Sequence, residues 1–270
     1  MIFGKLSKFF SKPYIPYFYV TLADHCNLNC KYCDHFSPLA EKRFIDIKKL
    51  RKDLKRFSSL VSIGNVGLMG GEPLLHPEIV QILNMTRQVL SKTHLAVFTN
   101  AILLPQMQDI FWQTCRDKNI NILISRYPVK IDLKTIFAKA KQFKVHVNFT
   151  HSGLYNFVNM HKLALDLEGG GNEGEMSRIC WQNKGSCSNL YDGKFYQCST
   201  LGNIHRLSNY FNLNLYPSQE DYIDIYKAKS GKEIIEYTKK SLPFCKHCNI
   251  KNEKSNLDFE ISKKELSEWT

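Results

Sequence analysis

Residues 26–33 read Cys26-Asn-Leu-Asn-Cys30-Lys-Tyr-Cys33, and their three cysteines have the spacing C-x3-C-x2-C. Three thiolates can bind three irons of a [4Fe–4S] cube and leave the fourth iron without a protein ligand. An open metal position is where chemistry takes place, as it is in catalytic zinc sites. Because no fourth cysteine follows within the next eighty residues, the motif indicates a cluster that binds a further ligand.

A zinc knuckle is the alternative for this motif, since His35 can supply a fourth ligand. Buried thiols without a metal and disulfides are weaker alternatives. The chain has nine cysteines, an odd number, and a reducing compartment would keep the thiols free. The motif therefore favours an iron–sulfur site over zinc.

The segment from residue 17 to residue 150 alternates short β-type runs with amphipathic helical stretches. One helical face, for example, carries Ile47, Leu50, Leu54 and Phe57. Such alternation predicts right-handed βαβ units and a parallel sheet. The predicted strands span residues 17–22, 65–69, 95–99, 120–125 and 145–150, and the predicted helices span residues 46–60, 77–90, 105–117 and 132–142.

A second motif, Gly70-Gly71-Glu72-Pro73, follows the second predicted strand about forty residues after the cysteines. Two glycines let a ligand approach the backbone closely, and a carboxylate beside them can bind an ammonium group. The two motifs together, with the aromatic Tyr32 before the last cysteine, resemble the radical S-adenosylmethionine (SAM) superfamily. The resemblance implies an α/β fold, a partial (β/α)6 TIM-like barrel with its chemistry at the C-terminal ends of the strands.

The resemblance also implies roles for individual residues. Cys26, Cys30 and Cys33 would bind the catalytic cluster, and the Gly-Gly-Glu-Pro segment would contact the amino group of SAM. Further polar residues stand where predicted strands end and would reach the ribose and carboxylate of SAM; they are Thr99, Asn100, Ser125 and Arg126. Arginine suits a carboxylate because its guanidinium can bind in a bidentate manner. The histidines near these motifs receive no assignment.

The chemistry implied is reductive cleavage of SAM to methionine and a 5′-deoxyadenosyl radical, which takes a hydrogen atom from an unactivated carbon of the substrate. The electron would come from a donor such as flavodoxin or ferredoxin. The protein would position the target and exclude water.

The C-terminal part contains five more cysteines, and Asp192-Gly193 between β-type residues predicts a two-residue hairpin turn. The pattern resembles SPASM and shortened "twitch" domains, which hold auxiliary [4Fe–4S] clusters, and it implies one such cluster here. The expected ligands are Cys180, Cys198, Cys245 and Cys248, with Cys187 as a substitute or fifth thiol. Hairpin geometry alone places Cys187 opposite Cys198 and so favours Cys187. Zinc is the alternative at this site too.

The function implied by this resemblance is oxidation of an alcohol in a small polar substrate, such as a sugar, cyclitol or nucleotide sugar. A fully ligated auxiliary cluster can carry an electron, which suits a two-electron oxidation. Epimerisation of a carbohydrate stays open, with Cys187 or Cys115 as a hydrogen donor, although Cys115 in a predicted helix fits a buried inert thiol better. A peptide-modifying maturase and a non-catalytic metal-binding module are the further alternatives.

The expected domain organisation is an N-terminal extension (residues 1–16), the radical SAM barrel (17–168) and an auxiliary cluster domain with a tail (169–270), divided near three consecutive glycines. Residues 2–10 have apolar residues at helical spacing with lysines between them, which fits a helix on a membrane surface or one packed on the protein. The net charge is +12, but the lysines are scattered and predict no nucleic-acid site. Without a secretion signal or membrane span, a cytoplasmic protein is expected.

Overall fold

The computed structural model describes residues 12–150, 157–184 and 187–270. The predicted helix at residues 2–10 lies outside the described residues. Within the part of the chain that is described, no helix combines the length and the apolar character needed to cross a membrane.

Strands and helices alternate along the first half of the chain, as predicted. The strands described are, in chain order, β1 (Tyr14–Thr21), β2 (Ser62–Met69), β3 (His94–Thr99), β4 (Ile120–Ile124), β5 (Val147–Phe149), β6 (Met160–Lys162), β7 (Asn189–Tyr191), β8 (Lys194–Tyr196), β9 (Ile223–Asp224) and β10 (Lys254–Leu257). The helices described are α1 (Ile47–Leu60), α2 (Ile79–Val89), α3 (Asp109–Asp117), α4 (Leu133–Phe143), α5 (Glu173–Ile179), α6 (Ser199–Phe211) and α7 (Gly231–Tyr237).

Local chemistry explains where the helices begin. Asp46 caps α1, because its carboxylate accepts a hydrogen bond from the Lys49 backbone N–H at 2.7 Å. The predicted helix at residues 105–117 starts later than expected. Its proline lies in a separate 3-10 turn, Leu104–Gln106, and the backbone becomes extended at Met107 before α3 begins.

One eight-stranded sheet has the order β5-β4-β3-β2-β1-β7-β8-β9. The strands β1 to β5 are parallel to their neighbours, and β7 is parallel to β1. The carboxyl ends of these strands therefore meet at one edge, which is where parallel barrels carry their sites. The predicted α/β class with a partial TIM-like barrel is confirmed.

The predicted hairpin is formed by β7 and β8, which pair as antiparallel strands. Asp192 (φ 51°) and Gly193 (φ 76°) both have positive φ, as a type I′ turn requires. The hairpin shares the barrel's core, since the Phe57 ring of α1 lies 5.1 Å from Phe18 and 4.9 Å from Phe195, measured between ring centroids.

The observed strands do not follow the predicted domain borders. The strand β1 starts three residues before the predicted barrel border, and β6 pairs with β10 near the C-terminus. The division into three regions stays a prediction.

Candidate active site

A cavity of about 520 Å³ opens at the carboxyl edge of β1 to β4. It is lined by the cysteines of the C-x3-C-x2-C motif and by most of the residues predicted to contact SAM. They are Cys26, Cys30, Cys33, Tyr32, Gly70, Gly71, Thr99, Asn100 and Ser125. Four separate loops thus contribute to one cavity of the size that small-molecule sites commonly have.

The cysteine loop turns sharply and partly buries its thiols. Asn29 and Tyr32 have left-handed backbone conformations, with φ of 54° and 62°. Burial raises the pKa of the Cys26 thiol to about 12, although a backbone N–H from Leu28 donates to its sulfur at 3.4 Å. Burial also raises the pKa of Cys30, and the negative charges of Cys33 and Cys26 raise it further. Three neighbouring thiolates therefore need a positive partner, which the irons of a cluster provide.

Zinc and a cube make different geometric demands on these thiols. In a zinc site, all ligands converge on one ion, with sulfur at about 2.3 Å. Among the described residues, no group of three His, Cys, Asp or Glu side chains could hold a metal ion in this way. In a [4Fe–4S] cube each thiolate binds its own iron at a separate corner. The donor set, three thiols at the wall of an open cavity, therefore fits the cube.

The Gly-Gly-Glu-Pro segment fastens the cysteine loop to the barrel. Gly71 N–H donates to the Ala23 carbonyl at 2.8 Å, and Glu72 N–H donates to the His25 carbonyl at 3.1 Å. A Cβ on Gly70 would lie 2.3 Å from the Ala23 carbonyl oxygen, and one on Gly71 would lie 2.2 Å from that of His25. The glycines are therefore needed for close packing of protein backbone, in addition to any approach of a ligand.

The Glu72 carboxylate is not part of the cavity lining, so its expected contact with the amino group of SAM stays a prediction. The side chain is fully buried. It accepts hydrogen bonds from Thr99 Oγ1 at 2.7 Å, Asn100 N–H at 2.9 Å and Leu74 N–H at 3.0 Å. Burial raises its pKa to about 7, and these three donors oppose the rise. Glu72 thus joins β2 to β3 beneath the cavity, and Pro73 is buried beside it.

The strand-end residues differ in what they can offer a ligand. The Thr99 hydroxyl already donates to Glu72 and accepts from Ala101 N–H at 2.9 Å. Asn100 faces the cysteine loop, where its amide donates to Asn27 Oδ1 at 2.8 Å and approaches Cys26 Sγ at 3.6 Å. Ser125 lines the cavity.

Arg126 is not among the described residues that line the cavity, and its expected contact with the SAM carboxylate stays a prediction. Its guanidinium lies 4.7 Å from the centroid of the Phe157 ring and 5.9 Å from that of Phe149. Arg126 follows β4 by two residues and stands between Ser125 and Tyr127, which both line the cavity.

Several cavity residues were not predicted. Tyr127 lines the wall and has a pKa raised by burial and by the cysteine charges. Trp181, Glu253 and Ser255 come from the C-terminal part of the chain. Tyr127 stands two residues after Ser125, which is a usable signal. The other three follow from tertiary packing and have no motif around them.

The cavity lining carries few charged side chains. None of the described residues that line it is lysine or arginine. Its acidic residues are Asp34 and Glu253, and Glu253 accepts a hydrogen bond from Trp181 Nε1 at 3.1 Å. The histidines are His35 and His161, and burial lowers the pKa of His35. The lining therefore favours a neutral or positively charged ligand.

A second group of cysteines surrounds a closed, apolar space of about 30 Å³. It contains Cys180, Cys198, Cys245 and Cys248, together with Met176, Leu242 and Phe244. Burial raises the pKa of Cys198, and the charges of Cys248, Cys180 and Cys245 raise it further, so the four thiols are mutual neighbours. Cys198 is also the cap residue of α6. Four thiolates at one site fit a fully ligated cube.

Cys187 lines the large cavity and is not among the described residues around the closed site, so its use as a substitute or fifth thiol stays a prediction. The hairpin register, Asn189 opposite Tyr196, would place Cys187 opposite Cys198. The ladder ends before either cysteine, because Cys198 begins α6 and the chain before Asn189 turns toward the large cavity. Cys115 is buried within α3 and lines neither site, as expected for an inert thiol.

The cysteine loop is also held by a buried ion pair on α6. Arg206 donates to Asp24 Oδ1 at 2.7 Å and to the His35 carbonyl at 2.7 Å. Asp24 in turn accepts from Tyr191 at 2.8 Å and from Arg43 at 3.2 Å. One helix thus carries an auxiliary thiol at its start and fixes the position of the cysteine loop two turns later.

Comparison with known proteins agrees with this architecture. A model of the radical SAM superfamily matches residues 20–123. A GTP 3',8-cyclase of Clostridium acetobutylicum is 28% identical over 252 residues, which cover 87% of this chain and 77% of the relative. A GTP 3',8-cyclase of Clostridium botulinum strain Hall is 33% identical over only 95 residues, so the matched part spans 30% of that relative.

Among solved structures, BtrN in complex with AdoMet and 2-DOIA superimposes with a TM-score of 0.51 at 16% identity. The match covers 88% of this chain and 94% of BtrN, and it supports the same overall fold. The three-cysteine loop, the sheet around it and the family match agree with one another: residues 20–123, which include the loop and the strands β2 and β3, match the radical SAM superfamily.

Proposed function

We propose that this chain is a radical SAM dehydrogenase that oxidises an alcohol of a small, uncharged or positively charged sugar or cyclitol. Cys26, Cys30 and Cys33 would hold the catalytic cluster, and SAM and substrate would share the cavity of about 520 Å³. Bound together there, cluster and SAM supply a carbon-centred radical that removes a hydrogen atom from an unactivated carbon. The observation that carries the proposal is the pairing of this open three-thiol cavity with a closed four-thiol site.

The chain's own residues position the reactants and limit the access of water. Gly70 and Gly71 keep the cysteine loop against the barrel, and Asn100 ties that loop to the end of β3. Tyr127 and Tyr19 add aromatic walls. Such walls limit the access of water to a reactive intermediate.

The charge of the lining argues for the substrate class. A nucleoside triphosphate or a nucleotide sugar brings several negative charges, and binding sites for such groups use arginine, lysine or metal ions. The described lining contains Asp34 and Glu253 and no basic residue except histidines. GTP cyclisation, the activity named for the relatives, is therefore less well supported for this chain, and so is the nucleotide sugar considered from sequence.

The fate of the substrate radical follows from the number of auxiliary thiols. Four cysteines surround the closed site, which is enough to ligate every corner of a cube, and such a cluster supplies an acceptor for one electron. Removal of one hydrogen atom, one proton and one electron from an alcohol gives a ketone. Dehydrogenation thus uses both sites.

A second candidate, epimerisation, is favoured by Cys187 at the cavity wall. A thiol there can return a hydrogen atom to the opposite face of the substrate carbon, and the thiyl radical that this leaves would take up one electron, supplied by the cluster at the closed site, and one proton. The product then keeps the substrate's oxidation state. The same cavity serves both reactions, and only the product tells them apart.

The test is an anaerobic reaction of the reconstituted chain with SAM and dithionite. Candidate substrates are deuterated unphosphorylated cyclitols and amino sugars, with GTP and a UDP-sugar as charged comparators. We expect about eight irons per chain, deuterium in 5′-deoxyadenosine only with an uncharged or amino-bearing substrate, and a ketone product. An inverted stereocentre would favour the epimerase. Deuterium transfer from GTP alone, or intact SAM, would contradict the proposal.

A further inference from the structure

The C-terminal tail, residues 258–270, packs against the cysteine loop of the radical SAM domain. More than 220 positions separate the two segments in sequence, as the contact between Lys31 and Glu260 illustrates (a separation of 229). The tail is also hydrogen-bonded to the middle of the chain, because Leu165 N–H donates to the Trp269 carbonyl at 2.7 Å. A short 3-10 turn near the end is fixed by a reciprocal capping box between Glu265 and Glu268.

Backbone contacts join the tail to the middle of the loop. Lys31 N–H donates to the Glu260 carbonyl at 2.9 Å, and Ser262 N–H donates to the Asn29 carbonyl at 2.9 Å. Between them, Cys30 forms a β-bridge with Ile261. The tail therefore pairs with the backbone on both sides of one cysteine of the motif.

A side-chain contact reaches a second cysteine. Trp269 Nε1 donates to the Cys33 carbonyl at 3.0 Å, and its indole is 2% exposed. The ring packs at 6.1 Å from Phe36, which follows the motif, and at 6.4 Å from Phe211 at the end of α6. The Cys33 carbonyl accepts a second hydrogen bond, from Phe36 N–H at 2.9 Å.

We infer that the tail is part of the cluster site, and that Trp269 is a positioning residue for the Cys33 corner. Groups that orient metal ligands from outside commonly change metal affinity about 10- to 100-fold when removed. The tail makes two such contacts with the loop: its backbone pairs with Cys30, and its indole donates a hydrogen bond to the Cys33 carbonyl. This inference rests on the proposed role of the three cysteines as cluster ligands.

The matched experiment replaces two buried tryptophans by phenylalanine. W269F removes an indole N–H that has a partner in the cysteine loop. W112F makes the same change in α3, where the indole is fully buried, packs on Phe143 and has an Nε1 without a hydrogen-bond partner. Both variants are reconstituted with iron and sulfide, and their melting temperatures are measured first, so that iron release is followed well below both.

We expect W269F to release iron to a chelator about 10-fold faster than wild type, and to change the part of the reduced-cluster EPR signal that responds to SAM. W112F should match wild type in both measurements. If W269F loses thermal stability but keeps wild-type iron release and EPR, the tail only stabilises the fold, and the inference is wrong.

Amide hydrogen exchange in the iron-free chain separates this inference from the proposed function. W269F should exchange faster than W112F in the peptide that contains residues 26–36, whether or not a cluster ever binds. Unchanged exchange there would also overturn the inference. Wild-type protein that binds no iron at the three cysteines would instead refute the proposed function and leave the exchange result intact.

Discussion

The two cysteine sites of this chain differ in how much space surrounds the thiols. Three thiols lie at the wall of a cavity of about 520 Å³, with polar residues from several loops. Four thiols enclose about 30 Å³ among Met176, Leu242 and Phe244. The first site has room for molecules that must enter and leave, and the second does not. One chain thus contains an open cysteine site and an enclosed one.

The sharpest test of this contrast is loss of the open site. We expect C30S to abolish formation of 5′-deoxyadenosine, because a hydroxyl is a poor iron ligand and the cube then lacks a corner. Iron should fall from about eight to about four per chain. The control is C115A, which removes a buried thiol outside both sites and should keep both values. Normal SAM cleavage by C30S would show that the open site is elsewhere.

Loss of the closed site should leave the first half of the reaction intact. C198S should also retain about four irons, yet it should still cleave SAM, with the substrate no longer converted to ketone. The measurement is the ratio of ketone to 5′-deoxyadenosine, which should approach one in wild type and fall toward zero in the variant. Equal ratios in both proteins would show that the auxiliary site takes no part in the oxidation.

Beneath the open site, Glu72 should make stability depend on pH. Burial raises its pKa from 4.5 to about 7 in the folded chain. The folded state therefore holds a proton that the unfolded state has lost, and stability falls as pH rises from about 4.5 to about 7, by about 3 kcal/mol. Urea unfolding of iron-free E72Q should lack this decline relative to wild type. An identical pH profile for the two proteins would contradict the assignment.

The smallest effect is expected for C187A. If the enzyme is a dehydrogenase, the thiol at the cavity wall is not consumed, and turnover should change less than about 3-fold, as for an ordinary packing contact. If it is an epimerase, C187A should stop inversion while 5′-deoxyadenosine still forms. Chiral analysis of the product, with C115A alongside, distinguishes the two outcomes.

Much of the fold was predictable because its signals are local. The cap residue Asp46 and an apolar face predict helix α1, and Asp192-Gly193 predicts the hairpin turn. The helix predicted from Pro105 was wrong at its start, since a proline fits a 3-10 turn as well as a first helical turn. Local patterns do not distinguish these cases.

For the open site, the spacing of the motifs predicted which loops meet. The sequence did not predict which contacts the individual side chains make. Motif spacing brought Cys26 and Gly70 to one cavity, as expected. Motif spacing does not say that the Glu72 carboxylate accepts a hydrogen bond from Thr99, or that the Arg126 guanidinium packs near the Phe157 ring. The hairpin register alone sets Cys187 opposite Cys198, but the ladder of β7 and β8 ends before either cysteine. Trp269 gave no signal at all, since its partner lies 236 residues away.

The parallel pairing of β7 with β1 has a practical consequence for anyone who wishes to divide this chain. Tyr19 N–H donates to the Ser188 carbonyl at 2.8 Å, and Val20 pairs with Leu190. A fragment that stops at residue 168 would leave this side of β1 as a bare edge, and unprotected edges recruit strands from other molecules. Expression of the first 168 residues alone should yield aggregates. The domain border predicted from the three glycines is therefore an unsuitable point at which to truncate the chain.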